Sequence, residues 1–336
     1  MNITFMMENK YHIQINREAV LKSLDEKGYV VIPNVLSAEQ CDQHIKEYKE
    51  WVTQIEESDA PFMSTQSLIQ GYRIGHFNAS WSVRLKVKDV FAQIWETDKL
   101  LSSIDAVALS HPPEQGHQMF AKPETYWLHL DQGAQRTGVH AYQAGVYLEE
   151  ASETDYCFRV LAKSHKEQQN FNEVFPDKYR EVTKDLEYYQ LNSKERDWYM
   201  KTKGCKLTKV PVPKGGMVLW DSRTAHDNVK PEFGRPNQDR WRHVVFVCMT
   251  PASWATPRDI AVKQNAYNNL LLTTHWPSRG VSTFRPYSFE SKSNLLKELP
   301  DIAKTKEAKL LMGVEEYDFE DGFPNGPPAP EFVLSL

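Results

Sequence analysis

From about residue 116 the chain becomes a series of short strand-like runs, HQMFA, HAYQAGVYL, CFRVLA, KLTKVPV, GMVLWD and RHVVFVCM, with turn residues between them. Runs this short, rich in β-branched and aromatic side chains and repeatedly interrupted, read as an all-β sandwich or barrel. Helical periodicity appears on either side. Ala19, Val20, Leu21, Leu24 and Tyr29 predict an amphipathic helix ending near Gly28, and YVVIPNVL follows as a short strand broken by Pro33. Ser37 suits the N-cap of a helix running towards Trp51. Further helices are expected around VKDVFAQIWET, near 258–272 and near 292–311. Residues 57–82 read as a long irregular loop of the kind that forms lids. The tail EDGFPNGPPAP is Pro/Gly-rich and should cross the surface without regular structure. The expected organisation is one domain: N-terminal helices and lid loop over 1–115, a β core over 116–252, and C-terminal helices and tail over 253–336.

A chain of 336 residues with 40% hydrophobic and 25% charged residues has enough apolar material for a substantial core and is neither disordered nor fibrous. A net charge of −5 with dispersed basic residues argues against a nucleic-acid-binding surface. No stretch approaches the roughly 18 apolar residues that span a bilayer. The start lacks the basic and apolar segments of a secretory signal. Cys41, Cys157, Cys205 and Cys248 have no CxxC spacing, so zinc-ribbon and dithiol chemistry are unsupported. A cytoplasmic protein acting on a small molecule, without nucleic-acid or membrane partners, is the expectation; the oligomeric state is left open.

Three motifs carry chemistry. In ETYWLHLDQG, His129 and Asp131 stand two apart, and on a strand such side chains share a face and can converge on one ion. About a hundred residues later, GGMVLWDSRTAHDN presents His226 after an apolar strand. Two histidines and one carboxylate on one side of an ion leave the other positions open for a co-substrate and O₂, the facial arrangement of non-haem iron oxygenases. In DRWRHVVFVCM, Arg240 and Arg242 precede a strand, and a guanidinium can grip a carboxylate with two parallel hydrogen bonds. Strand alternation puts both arginines on one face, so spacing does not choose between them.

These motifs, taken in order, resemble the phytanoyl-CoA dioxygenase-like family of iron(II)/2-oxoglutarate oxygenases over most of residues 27–252. His117, Met119, Lys122 and Pro123 in HQMFAKP match the strand before the iron motif, His129-Leu130-Asp131 matches its HxD, and His226 its distal histidine. AGVYLEEASETDYCFRVLAKSHK aligns without a gap, and RHVVFVCMTPA aligns from Arg242. The resemblance implies a double-stranded β-helix (jelly-roll, cupin-like) core. It also implies Fe(II) on His129, Asp131 and His226, with 2-oxoglutarate and O₂ as co-substrates, Arg242 gripping the distal carboxylate and Met119 beside the co-substrate. Gln143, Gly145 and Tyr147 share the strand face expected to line the pocket, which makes Gln143 a candidate polar contact. The sequence departs from the family at Ala162-Lys163, where Pro-Gly is usual, at Tyr156 in place of glycine, and at Gly145 in place of an inward tryptophan, which should enlarge the cavity. Arg73, His76 and Trp81 in the early loop, and Arg136 and His140 after HxD, are further candidate substrate contacts. The expected reaction is oxidation of an unactivated C–H bond by hydroxylation, desaturation or ring closure, with release of succinate and CO₂. The alternatives are a nucleic-acid or protein hydroxylase with the same iron site, a silent ligand-binding β-helix, and a zinc-binding cupin-like hydrolase.

Overall fold

The computed structural model describes residues 10–57, 67–115, 127–176, 187–287 and 295–333. Among these, the strands form two antiparallel sheets. The larger has seven strands, built on β1 (Tyr29–Ile32), β10 (Met217–Asp221), β6 (Tyr142–Tyr147), β12 (Arg242–Pro251), β4 (Val107–Ser110) and β2 (Leu68–Ile69) in that order, with β3 (Leu100–Ser102) pairing the far end of β12. The smaller has five, in the order β8 (Tyr189–Gln190), β5 (His129–Leu130), β11 (His226–Val229), β7 (Cys157–Ala162) and β9 (Lys206–Val210).

Alternation along the strands decides what each face meets. On β6, Ala144 and Val146 turn outward, and with Val245, Val247 and Met249 of β12 they pack against helices α2 (Ala38–Glu56) and α3 (Asn78–Trp95) through residues such as Val52, Ile55, Val87 and Val90. Tyr147, Val218, Trp220 and Val244 turn the other way and meet Phe158, Val160 and Val210 of the small sheet. The large sheet is thus covered on both faces, which explains why VVFVCM, residues 244–249, is an unbroken apolar run. A third cluster, including Leu128, Leu161, Phe171 and Tyr199, backs the outer face of the small sheet.

Local signals place several elements. Helix α1 (Arg17–Lys27) ends at Gly28 with φ +88°, a left-handed cap that glycine takes without a Cβ penalty. Ser37 caps α2 in a reciprocal capping box with Gln40. Helix α6 (Pro257–Asn268) and the tail, which has no regular secondary structure, lie near their expected positions.

Other expectations need correction. Residues 67–82 are not an irregular loop: they hold β2, a short 3-10 turn and the start of α3, which begins nine residues before VKDVF. That helix has no side-chain N-cap of its own; Glu47 of α2 accepts from the Ala79 N–H instead, so the start signal is tertiary. The region before residue 116 also supplies β1 to β4 of the large sheet and is more than helices and lid. Among the described residues of the helix expected near 292–311, only α7 (Lys306–Leu311) is α-helical, after a 3-10 turn at 301–304, because Pro300 cannot continue a helix. The HQMFA run lies outside the described residues. Where the family has Pro-Gly, Lys163 itself adopts φ 73°, a left-handed conformation uncommon for a residue with a Cβ.

His76, Trp81, Arg136 and His140 do not contact substrate space as expected. His76 and Trp81 are fully buried in the helical layer, where His76 Nε2 meets the Leu271 carbonyl at 2.9 Å. Arg73 donates to the Leu296 carbonyl and lines a separate outer groove. His140 is bonded to the Glu331 carbonyl and Arg136 is clamped by Glu187 at 2.7–2.8 Å, between the rings of Trp276 and Phe332. The Arg136 and Glu187 side chains are 0% and 6% exposed. Removing one partner of such a pair strands the other charge, so Glu187→Gln should lower the unfolding free energy by about 3–5 kcal/mol. Urea denaturation checks this, and a loss below about 1 kcal/mol would place the pair among weak surface contacts.

Candidate active site

Strands β5 and β11 pair with His226 directly opposite His129, and Asp131 follows two residues after His129. Ligand atoms of the three side chains lie within 4.8 Å of one another, and all three are buried. His129 Nε2 is 3.5 Å from Asp131 Oδ1, and His226 Nε2 is 3.4 Å from Asp131 Oδ2. Each ring's other nitrogen is committed: His129 Nδ1 donates to the Trp127 carbonyl at 3.1 Å, and His226 Nδ1 to the Thr224 carbonyl at 2.9 Å. With Nδ1 carrying the proton, both Nε2 atoms present lone pairs towards the carboxylate, the tautomer a metal requires.

Burial supports the same protonation states. It pushes both imidazoles down, His226 to about 4, so neither competes for a metal with a proton near neutrality. Burial works against ionisation of Asp131, but the surrounding imidazoles and the amide of Gln143 outweigh it and hold the carboxyl below its ordinary range. Gln143 Nε2 donates to Asp131 Oδ2 at 3.1 Å, so this residue positions a candidate ligand.

Aromatic rings fix the imidazoles from the side. Trp127 stacks on His129 at 4.8 Å and Tyr188 lies at 4.9 Å, while Trp220 and Phe158 lie 5.0 and 5.6 Å from His226. The Trp127 indole also donates to the Asn228 carbonyl, tying the two ligand strands together. A cavity of about 340 Å³ opens onto the three candidate ligands, lined by these rings and by Gln70, Asp105, Gln143, Phe246, Thr274, His275 and Phe284 among others. Burial, reinforced by Asp131, raises Asp105 to about 7.

Sequence reading missed several of these. Trp127 lies two residues before His129, so strand alternation could have found it; Tyr188, Asp105, Thr274 and His275 have no local signal and arrive through tertiary contact. Met119 lies outside the described residues. Gly145 does face inward, but it adds no cavity volume. A Cβ there would sit 3.1 Å from Val244 Cγ1 and 3.6 Å from Phe246, its directly opposed neighbour on β12, so those side chains already fill the space. The two arginines also part company. Arg240 is engaged by Asp155 and Glu150 at 2.8 and 3.1 Å. Arg242 is buried on the inward face of β12, over the ring of Tyr156 at 5.2 Å, and does not itself line the cavity.

Residues 24–228 match the phytanoyl-CoA dioxygenase (PhyH) family. The chain belongs to that family. It is therefore a 2-oxoglutarate-dependent dioxygenase, with iron and 2-oxoglutarate as its cofactor and co-substrate. A relative from Aspergillus versicolor, Ava biosynthesis cluster protein O, is 26% identical over 284 residues, covering 79% of this chain and 88% of that protein. Among solved structures, GlcNAc Inducible Gene 2 (GIG2) of Candida albicans shares the fold, with a TM-score of 0.63 at 13% identity over 93% of this chain and 79% of that one. EctD from S. alaskensis, solved with 2-oxoglutarate and 5-hydroxyectoine, matches with a TM-score of 0.48 at 13% identity over 87% of this chain and 88% of its own.

The Gln143 amide orients the Asp131 carboxylate, and such supporting contacts are commonly worth one to two decades in metal affinity. Gln143→Leu should therefore weaken Fe(II) binding about tenfold to a hundredfold with little change in stability. Anaerobic metal titration reads this directly; a change under about twofold would show that the amide does not position the carboxylate.

Proposed function

We propose that this chain oxidises an unactivated C–H bond of a small molecule at an iron held by His129, Asp131 and His226, within two facing sheets that form a double-stranded β-helix. The observation that carries the reading is the convergence of two bare Nε2 atoms and one carboxylate on a single point, with both Nδ1 protons engaged by backbone carbonyls. Donors of this type and number suit non-haem iron and leave coordination positions open. When bound, iron, 2-oxoglutarate and O₂ supply the oxidation and release succinate and CO₂. The protein's own side chains hold the ligand geometry, exclude water with the rings of Trp127, Phe158, Trp220 and Phe246, and orient the target carbon. Hydroxylation, desaturation and ring closure all begin from the same positioned C–H bond. A cavity of about 340 Å³ with no lysine or arginine among its described lining residues fits a small molecule better than a nucleic acid.

Arg242 is the proposed grip on the distal carboxylate of 2-oxoglutarate. It shares the inward face of β12 with Phe246, which lines the cavity four residues further on, about 13 Å along a strand. A buried guanidinium among Tyr147, Tyr156 and Cys157 suits an anion, whereas Arg240 already serves Asp155 and Glu150.

Asp131→Ala and His226→Ala should each abolish succinate formation and strongly weaken anaerobic Fe(II) binding; normal metal affinity in both variants would sink the ligand assignment. Arg242→Ala should raise the 2-oxoglutarate requirement by roughly two to three orders of magnitude, at about 1.4 kcal/mol per decade. Arg240→Ala should change it little. Side-by-side 2-oxoglutarate titrations decide, and a large loss confined to the Arg240 variant would reverse the choice.

A further inference from the structure

Besides the candidate metal ligands and the aromatic rings, the cavity carries a polar cluster made of Asp105, Thr274 and His275. Residues 104–105 lie between β3 and β4, and 273–275 follow α6, so the cluster depends on a tertiary contact. That contact is a reciprocal lock: the Ile104 N–H donates to Thr273 Oγ1 at 2.9 Å, and the Thr273 N–H donates to the Ile104 carbonyl at 2.8 Å. Asp105 and Thr274, the next residue on each segment, both line the cavity.

The cluster is polar and incompletely satisfied. Thr274 is 2% exposed and its Oγ1 has no hydrogen-bond partner, nor has His275 Nε2. Asp105 Oδ1 accepts from the neighbouring Ala106 N–H at 2.6 Å; the Arg84 guanidinium only partly offsets its burial, and no lysine or arginine stands among the described lining residues. Buried polar groups are normally paired, so two unpaired groups, Thr274 Oγ1 and His275 Nε2, on a cavity wall that also carries the Asp105 carboxyl point to a partner that arrives with the ligand.

We propose that Asp105, Thr274 and His275 recognise a protonated nitrogen base on the substrate, an alkylammonium or guanidinium group, and so orient the carbon presented to the metal. The assignment rests on reading the cavity as the oxygenase site. A nitrogen cation carries donors only, and a carboxylate, a hydroxyl and a neutral imidazole can all accept from it. Burial pushes the His275 imidazole down, which favours its neutral form. Trp127, Tyr188 and Phe284 on the same cavity add ring faces that attract a cation. An anionic group would instead meet Asp105 with Asp131 near by.

The test uses Fe(II)- and 2-oxoglutarate-loaded protein, titrated anaerobically by calorimetry with phenethylamine and, separately, with its neutral counterpart 2-phenylethanol. The wild-type protein should bind the amine at least about tenfold more tightly than the alcohol, a ratio corresponding to one decade in affinity. Asp105→Asn should remove that preference by weakening the amine alone, and Thr274→Val should reduce amine affinity severalfold. Equal affinities, preference for the alcohol, no detectable amine binding, or a preference that survives Asp105→Asn overturns the proposal. Metal uptake is measured first on the same samples. A wild-type chain that takes up no Fe(II) overturns the oxygenase site and this subsite together, whereas normal uptake without amine preference overturns the subsite alone.

Discussion

Antiparallel pairing of β5 with β11 is the constraint from which the rest of the site follows. It sets His226 opposite His129, with ring centroids 4.3 Å apart, and lets the residue two beyond His129 deliver the carboxylate. A slip of one residue would turn a strand's whole side-chain set to the other face, so the pairing must allow one register. Asp227 helps to ensure that. It lies directly opposite Arg159 on β7, and the two are joined by two short contacts of 2.7 and 2.8 Å in a buried pair. Any other alignment of β11 on β7 would leave both charges buried without each other, which is strongly unfavourable.

Around that pairing, the protein spends its polar contacts on orientation and its aromatic residues on exclusion of water. Two backbone carbonyls choose the tautomers, Gln143 aims the carboxylate, and four rings prevent the imidazoles from turning. The same rings shape the cavity, and Phe246 occupies the space beside Gly145. Gly145 and Phe246 therefore read as a matched cross-strand pair, in which the small residue accommodates its large neighbour.

Arg242 and Phe246 mark two ends of one interior strand face. The inward face of β12 begins at a buried guanidinium beside Tyr147 and Tyr156 and reaches the cavity of the candidate ligands at Phe246. Strand spacing alone keeps these two ends apart, while the helices packed on the opposite face hold the strand rigid. The Asp105–Thr274 segment is attached differently, by a hydrogen-bonded lock between two connecting segments. Variation there can alter what the cavity accepts without disturbing the strands that carry the candidate ligands.

Much of this was legible in the sequence because it is encoded at short range. Short apolar runs between turn residues marked β6, β7, β10 and β12; Ser37 and Gly28 marked helix ends; and HxD spacing put His129 and Asp131 on one face. The distant His226 was legible through its place in an ordered series of motifs. What the sequence alone did not reveal depends on contacts between remote segments. The start of α3 is capped by Glu47 from another helix, the choice between Arg240 and Arg242 turns on Asp155 and Glu150, and the apparent space at Gly145 is filled from the opposite strand. Asp105, Thr274 and His275 reach one cavity only because segments far apart in the chain dock on one another. Local backbone preference and hydrophobic period specify elements and faces, whereas partners, burial and free volume belong to pairs of residues that no single segment contains.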